Sequence, residues 1–344
     1  MEGFSTPEKR SDRVVLEANR DYWDSTRLPR LQRIVFDNTL SQKEAVELVK
    51  MGQGRVDVVT ELSPLETLRV AESPFAQVVK NRGSLITVLG LFNMRKTASP
   101  WRDVRLRQAV NYAINREDLI SYATKGNGVI IPALLPERAF GHDPDLAPYP
   151  FDPGKAQQLW REAGYPPGRP LVLIATEDLE VQATVISKML EQVALTVQLQ
   201  MLDAATYSAK TTLGHLDQPP EQQAWDIALR STVDTTGATA LYFYSIFALD
   251  GANDWVGEAP ELRQFYEQVA SAADGVQQQR PIQQMERHTH DQAYFLFLYN
   301  PIALYAVNKA VEFVPHMTTL LSLTEVAVTE QHWSVRQQGA AVQE

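Results

Sequence analysis

The densest run of potential metal ligands in this chain is His288-Thr289-His290-Asp291. Imidazoles hold zinc from a helix when they stand at i and i+4, positions that share one face. Here the two histidines are two apart in a stretch whose spacing predicts a helix. They point to different faces, and surface or half-buried histidines are the expectation. No cysteine occurs, which removes thiolate nucleophiles, disulfides and cysteine-based zinc sites. Gly-x-Ser-x-Gly, a Walker-type glycine loop and His-Glu-x-x-His are all missing from the sequence, so hydrolase and nucleotide chemistry lack their residues. No cofactor is called for, and an enzyme is the least supported class. What remains is recognition chemistry. Arg230 offers a guanidinium that can pair with a ligand carboxylate or with a neighbouring surface acid. Tyr242, in the run Tyr242-Phe243-Tyr244-Ser245-Ile246-Phe247, reads either as core or as the wall of a pocket.

Charge and composition narrow the partners. With 42 acidic against 32 basic residues the formal net charge is −10, which disfavours nucleic acid, whose phosphates need clustered Lys and Arg. A hydrophobic content of 44% and a charged content of 22% are ordinary for a globular chain. The length of 344 residues suggests about two domains. No run of eighteen apolar residues is present to span a bilayer as a helix, and the opening MEGFSTPEKRSDR lacks the apolar centre of an export signal.

The elements that must position these side chains alternate between strand and helix patterns, which predicts an α/β architecture. Strands are expected at 13–18, 31–36, 56–60, 77–81 and 85–93, with helices at 42–50 and 64–71 between them. A Ser99-Pro100-Trp101 turn leads into one long amphipathic helix. Its Val104, Leu106, Val110, Ala113 and Ile114 face inward, and its Arg102, Arg105 and Arg116 face water. Further on come a strand at 170–175, a helix at 180–193 with Val181, Val185, Met189 and Leu190 inward, and strands at 196–201 and 226–229. Helices at 260–273 and 280–293, a buried strand at 294–299 and a hairpin of 303–307 with 310–313 complete the pattern. The polar end, 331–344, is expected to fray.

The stretch around that first long helix carries more than periodicity. Asn93, then Pro100-Trp101-Arg102-Asp103-Val104-Arg105-Leu106-Arg107-Gln108-Ala109, then Ala113-Ile114-Asn115-Arg116 resembles the family 5 solute-binding proteins of ABC importers. Their chains carry a strand ending in Asn and then Pro-Phe-x-Asp-x-Arg-Val-Arg-Gln-Ala-x-x-x-Ala-x-Asp-Arg. Asn19-Arg20-Asp21-Tyr22-Trp23 is similar to the family's Asn-x-x-Tyr-Trp. Gly54-Arg55-Val56-Asp57-Val58 and Phe151-Asp152-Pro153 through Ala163-Gly164-Tyr165 match two further family patterns. The resemblance runs from about Arg13 to about Thr329. Met1-Glu2-Gly3-Phe4 stands where the family has Gly-Thr-Gly-Pro-Phe, after the first strands of lobe one.

That resemblance implies a periplasmic-binding protein type II-like fold, two lobes with mixed sheets joined by a hinge, with lobe one incomplete at the N-terminus. Residues 1–94 with 300–344 would form lobe one and residues 95–299 lobe two. It implies a monomer that encloses a peptide or similar solute by hinge closure and delivers it to an ABC permease. In peptide-binding relatives an Asp in a Trp-x-x-Asp segment pairs with the α-amino group of the peptide. Asp234 is the nearest match here, although the Trp is replaced and the spacing is one residue short. Asp234 therefore has two readings, ligand contact and turn or helix cap. Asn93 and Trp101 stand at the expected first crossing between lobes, where cleft walls would be, with core packing as the other reading for Trp101. The resemblance points to the periplasm or cell envelope; without an export signal, a complete product of this sequence would be cytoplasmic. A non-binding truncated remnant and the cytoplasmic sensing domain of a regulator are the alternatives.

Overall fold

The run Arg-Val-Val-Leu-Glu forms β1 (Arg13–Glu17), paired antiparallel with β2 (Arg33–Asp37) so that Val15 faces Val35. The computed structural model describes residues 11–336 except 53, 167, 238, 239, 319, 320 and 322. The expectations for residues 1–4 and for the last eight residues lie outside that range. Helix α1 (Gln42–Met51) begins at a capping box, in which the Ser41 hydroxyl accepts the Glu44 N–H and the Glu44 carboxylate accepts the Ser41 N–H. It stops at Gly52, whose φ of 62° is the left-handed conformation glycine adopts without strain. β3 (Val58–Val59), α2 (Thr67–Ala71) and β4 (Ala76–Asn81) follow.

The chain leaves this first unit at Arg82/Gly83 and returns to it at Ile302/Ala303. Between those points lie β5 (Ile86–Phe92), α3 (Val104–Ala113), α4 (Arg116–Thr124), β6 (Gly128–Ile130) and α5 (Pro153–Glu162). Next come β7 (Leu171–Thr176), α6 (Glu180–Gln192), β8 (Val197–Leu202), α7 (Ala204–Thr211) and β9 (Ile227–Val233). Helices α8 (Ala240–Phe247), α9 (Pro260–Ser271) and α10 (Gly275–Asp291) then precede β10 (Phe295–Pro301). The strands form one mixed six-stranded sheet in the order β6-β10-β5-β9-β7-β8, in which β7 runs parallel to β8 and β9. Back in the first unit, β11 (Ala303–Asn308) runs between β3 and β4, and β12 (Val311–Glu312) pairs with β13 (Ala327–Val328).

Several sequence expectations shift here. The stretches 303–307 and 310–313 do not pair with each other, because β11 takes both its neighbours from the front of the chain. Residues 85–93 belong to the second unit, since β5 pairs with β9 along its whole length and with β10 on its other side. The long helix after Trp101 is two helices. Ile114 is extended, with ψ of 117°, and Asn115 caps α4 by accepting the Asp118 N–H at 3.1 Å. That break turns Arg116 inward. Val181 is half exposed, and the buried face of α6 is built instead from Ala183, Ile186, Met189 and Leu190.

Two buried arginines hold α3 and α4 against β10. Arg116 donates from Nε to the Phe297 carbonyl (2.7 Å) and from Nη1 to the carbonyls of Asn111 (3.0 Å) and Tyr149 (3.1 Å). Its Nη2 reaches Asn111 Oδ1 at 2.9 Å. Arg107 donates to the carbonyls of Trp101, Gln292 and Ala293. Burial pulls both guanidinium pKa values down to about 10, so both remain cationic near neutral pH, solvated by carbonyl dipoles in place of water.

A carboxylate is buried in the same unit. Glu286 on α10 accepts the Tyr244 hydroxyl at 2.6 Å and the Leu135 N–H at 2.9 Å, and burial pushes its pKa up to about 7. Among the described residues no helix is long and apolar enough to cross a membrane.

Replacing Arg116 by Leu strands its carbonyl partners, and urea denaturation should show a loss of about 3 kcal/mol or more; an unchanged midpoint would refute that role. For Glu286 the folded state holds its proton where the unfolded chain has released it. Its stabilising contribution is therefore full below pH ~4.5 and fades as pH rises to ~7, by on the order of 3 kcal/mol. Urea midpoints between pH 5 and 8 should fall for the native chain and stay flatter for Glu286→Gln.

Candidate functional site

The register of β9 decides what its backbone can offer. At one end the Asn93 N–H donates to the Asp226 carbonyl (3.0 Å), and at the other the Asp234 N–H donates to the Leu85 carbonyl (3.1 Å). Backbone groups in an antiparallel pair alternate sides, so the even-numbered residues between them face β5 and the odd-numbered ones face away. On that far side β7 pairs only with Ile227 and Ala228. Beyond it, the Leu229 carbonyl accepts the Tyr207 hydroxyl at 2.6 Å and the Val233 carbonyl accepts the Tyr242 hydroxyl at 2.9 Å. Ser231 lies between them and is exposed, and among the described residues its backbone N–H and C=O have no partner. A strand inside the sheet thus carries one open rung.

Three of the sequence-predicted residues gather around that rung. The Asp234 carboxylate is fully buried, and its Oδ1 accepts the N–H groups of Thr236 (2.7 Å) and Gly237 (3.0 Å) and the Thr236 hydroxyl (2.7 Å), closing an Asx turn. Arg230 is half-buried, with its guanidinium carbon 5.9 Å from the Phe247 ring centroid, and it forms no ion pair among the described residues. Burial holds the Tyr207 phenol above its ordinary pKa, so it stays a donor. Tyr242 is half-buried and anchored through its hydroxyl to β9.

Asn93 and Trp101 stand apart from these three. They lie beside Asp226, eight residues along the strand from Asp234, about 26 Å at a rise of ~3.3 Å per residue. Asn93 is fully buried and donates from Nδ2 to the carbonyls of Gln223 (3.3 Å) and Trp225 (3.1 Å). Trp101 is fully buried, stacks on Phe92 at 5.2 Å and donates its indole N–H to Asp226 Oδ1 at 3.0 Å. The chain crossing lies at the opposite end of β5 from both.

Ser231 and Tyr207 were not singled out from the sequence. The strand was expected to end at residue 229, and the signal that would have extended it is the β-prone Ser231-Thr232-Val233 beyond. The histidine run lies within α10. His290 Nδ1 stands 2.8 Å from the Pro132 carbonyl, its ring stacks on Tyr149 at 4.3 Å, and burial lowers its pKa. Among the described residues no three His, Asp or Glu side chains converge as a metal site would require.

Comparison with known proteins agrees with this architecture. The family described as bacterial extracellular solute-binding proteins, family 5 Middle, matches residues 6–254. Heme-binding protein A of Haemophilus influenzae is 28% identical over 160 residues, covering 46% of this chain and 28% of its own. A dipeptide-binding protein of Escherichia coli is 27% identical over 160 residues, covering 46% of this chain and 29% of its own. The matched stretches thus span under a third of the length of these relatives. Among solved structures, the ABC transporter substrate-binding protein CtaP of Listeria monocytogenes superposes with a TM-score of 0.80 at 21% identity, over 94% of this chain and 65% of its own. That likeness establishes the type II periplasmic-binding fold.

Asp226 is the carboxylate on which the far end of β9 rests, since it also accepts Arg169 Nη2 at 2.6 Å and the Val172 N–H at 2.9 Å. Asp226→Asn removes the charge that balances Arg169. After discounting for the partial exposure of that arginine, a loss of about 2–4 kcal/mol is expected in chemical denaturation; a neutral result would contradict the assignment.

Proposed function

The chain belongs to the bacterial extracellular solute-binding proteins of family 5, and from that premise we propose that it captures a peptide for delivery to an ABC permease in the membrane. Proteins of this family bind solute and are not enzymes. The named relatives differ in what they bind, heme in one and dipeptide in another, so the solute class has to be argued from this chain's own residues.

The observation that carries the peptide reading is the open rung at Ser231. A backbone N–H and C=O held at strand geometry pair with the backbone of an extended peptide whatever its side chains. Arg230 on the same strand has no carboxylate partner among the described residues and suits the peptide's C-terminal charge. Asp234 at the end of the strand suits its α-ammonium, with Tyr242 as a flanking wall. The two covalent crossings, at Arg82/Gly83 and Ile302/Ala303, are the connection a hinge uses, and closure is favoured when ligand touches both sides of it.

The decisive test pairs two substitutions at one position. Ser231→Ala keeps the backbone groups, and Ser231→Pro removes the N–H at a place where no neighbouring strand needs it. With a mixed pool of short peptides, the melting temperature of the native chain and of Ser231→Ala should rise, because ligand bound to the folded state stabilises it by mass action. Ser231→Pro should melt cooperatively and show no rise. A full rise in the Pro variant would move the site elsewhere, and no rise in the native chain would remove peptides as the solute. Asp234→Asn keeps an oxygen for the Thr236 and Gly237 N–H groups while deleting the charge. Calorimetry should then show peptides weakened by about 1–3 kcal/mol and N-acetylated peptides unaffected.

A further inference from the structure

A recess of about 380 Å³ opens in the second unit between the end of α5, the residues that follow it and the turn after α6. It contains none of the residues around Ser231. Its aromatic wall is Trp160 against Tyr165, with ring centroids 4.4 Å apart, and its apolar floor is Val193 with Leu195. Two guanidinium groups border it, those of Arg161 and Arg169, and among the described residues no carboxylate lines it. The volume falls within the ~300–1,000 Å³ of small-molecule sites, and aromatic walls with a few placed charges are what such sites use.

The two arginines differ in how they are held. Arg169 donates from Nη1 to the Tyr165 hydroxyl (2.8 Å) and from Nη2 to Asp226 (2.6 Å), and its guanidinium carbon lies 5.2 Å from the Tyr165 ring centroid. That fork is fixed before any ligand arrives, so binding need not order it. Arg161 is exposed at the rim, and among the described residues it forms no ion pair. Asp226 lies behind Arg169 and balances one of the two charges, which leaves the recess with an excess of one positive charge.

We propose that this recess is an accessory site for a small aromatic carboxylate, whose ring lies against Trp160 and Tyr165 and whose acid group pairs with Arg161 at the rim. The aromatic faces select a planar ring, and the unbalanced guanidinium selects an anion over a neutral or cationic molecule of the same shape. The site is separate from the solute site and does not depend on the identity of the solute.

Indole-3-acetate, 3-methylindole and tryptamine share one ring and differ in charge, which makes them a matched set for calorimetric titration against the full chain. Indole-3-acetate should bind saturably, about tenfold or more tighter than 3-methylindole, with tryptamine weaker still. Arg161→Glu should weaken indole-3-acetate by about tenfold or more without moving the melting temperature, because the side chain is exposed. Ser231→Pro should leave that binding unchanged. Equal affinity for the three probes, an unaffected Arg161→Glu variant or no saturable binding would overturn the proposal. Displacement of indole-3-acetate by the peptide pool would overturn it as well, by placing the probe in the solute site.

Discussion

A buried carboxylate must be surrounded by donors or it unfolds what surrounds it, and Asp226 shows how much architecture one such group can organise. Its Oδ1 accepts the Trp101 indole and the Arg169 guanidinium, and its Oδ2 accepts the Val172 N–H. Its own N–H donates to the Val172 carbonyl at 2.9 Å, and its carbonyl accepts the Asn93 N–H at 3.0 Å. Strands β5, β7 and β9 are pinned together at one end by this residue. Because side-chain and backbone directions alternate along a strand, pinning Asp226 fixes the direction of every residue of β9, Ser231 included, and so where Asp234 follows it. The end of the strand that carries the candidate site is set from its far end.

The buried arginines extend the same logic to the helices. Among the described residues neither Arg107 nor Arg116 has a carboxylate partner; each is solvated by backbone carbonyls at helix ends and on β10. Those carbonyls need donors in any case, since they lie beyond the reach of helix or sheet ladders. One planar guanidinium satisfies several of them at fixed angles, which a lysine could not do. The Pro-Trp-x-Asp-x-Arg-x-Arg motif that marks the sequence thus has a physical content. Trp101 serves Asp226, Asp103 caps α3 by accepting the Arg105 N–H at 2.9 Å, and Arg107 and Arg116 fasten the two helices to the sheet.

This also explains what the sequence could disclose and what it could not. Apolar periodicity located nearly every strand and most helices, because burying one face leaves a regular trace. Arg116 was expected on a wet face since a charge at helical spacing usually is solvated; its burial depends on carbonyls of Tyr149 and Phe297, which are remote in sequence. The break at Ile114 is a change of backbone angle that an apolar residue does not announce. Helix α10 starts five residues earlier than its pattern suggested, because Asp274 caps it by accepting the Gln277 N–H at 2.9 Å, and it continues through Pro281. At the candidate site, the sequence singles out Arg230, Asp234 and Tyr242 as candidates by their side chains. Ser231 is not among them, because its contribution is a pair of backbone groups, and every residue has those.

An exposed strand edge is normally a hazard, because any other chain can pair with it. The second unit reduces that hazard along β9 with two phenols. Tyr207 and Tyr242 donate to the carbonyls of Leu229 and Val233, on either side of Ser231, so that no long ladder can form there. A capping hydroxyl fits this purpose well: it occupies an acceptor without adding a strand, and burial keeps the Tyr207 phenol protonated. Pairing at this edge is thereby confined to a stretch about one residue long. A second protein chain gains little from so short a contact, whereas for a small extended solute one backbone rung flanked by a cation and an anion is a large part of what it can use. On the proposed reading, a small peptide would be preferred over a partner strand here without any side-chain specificity.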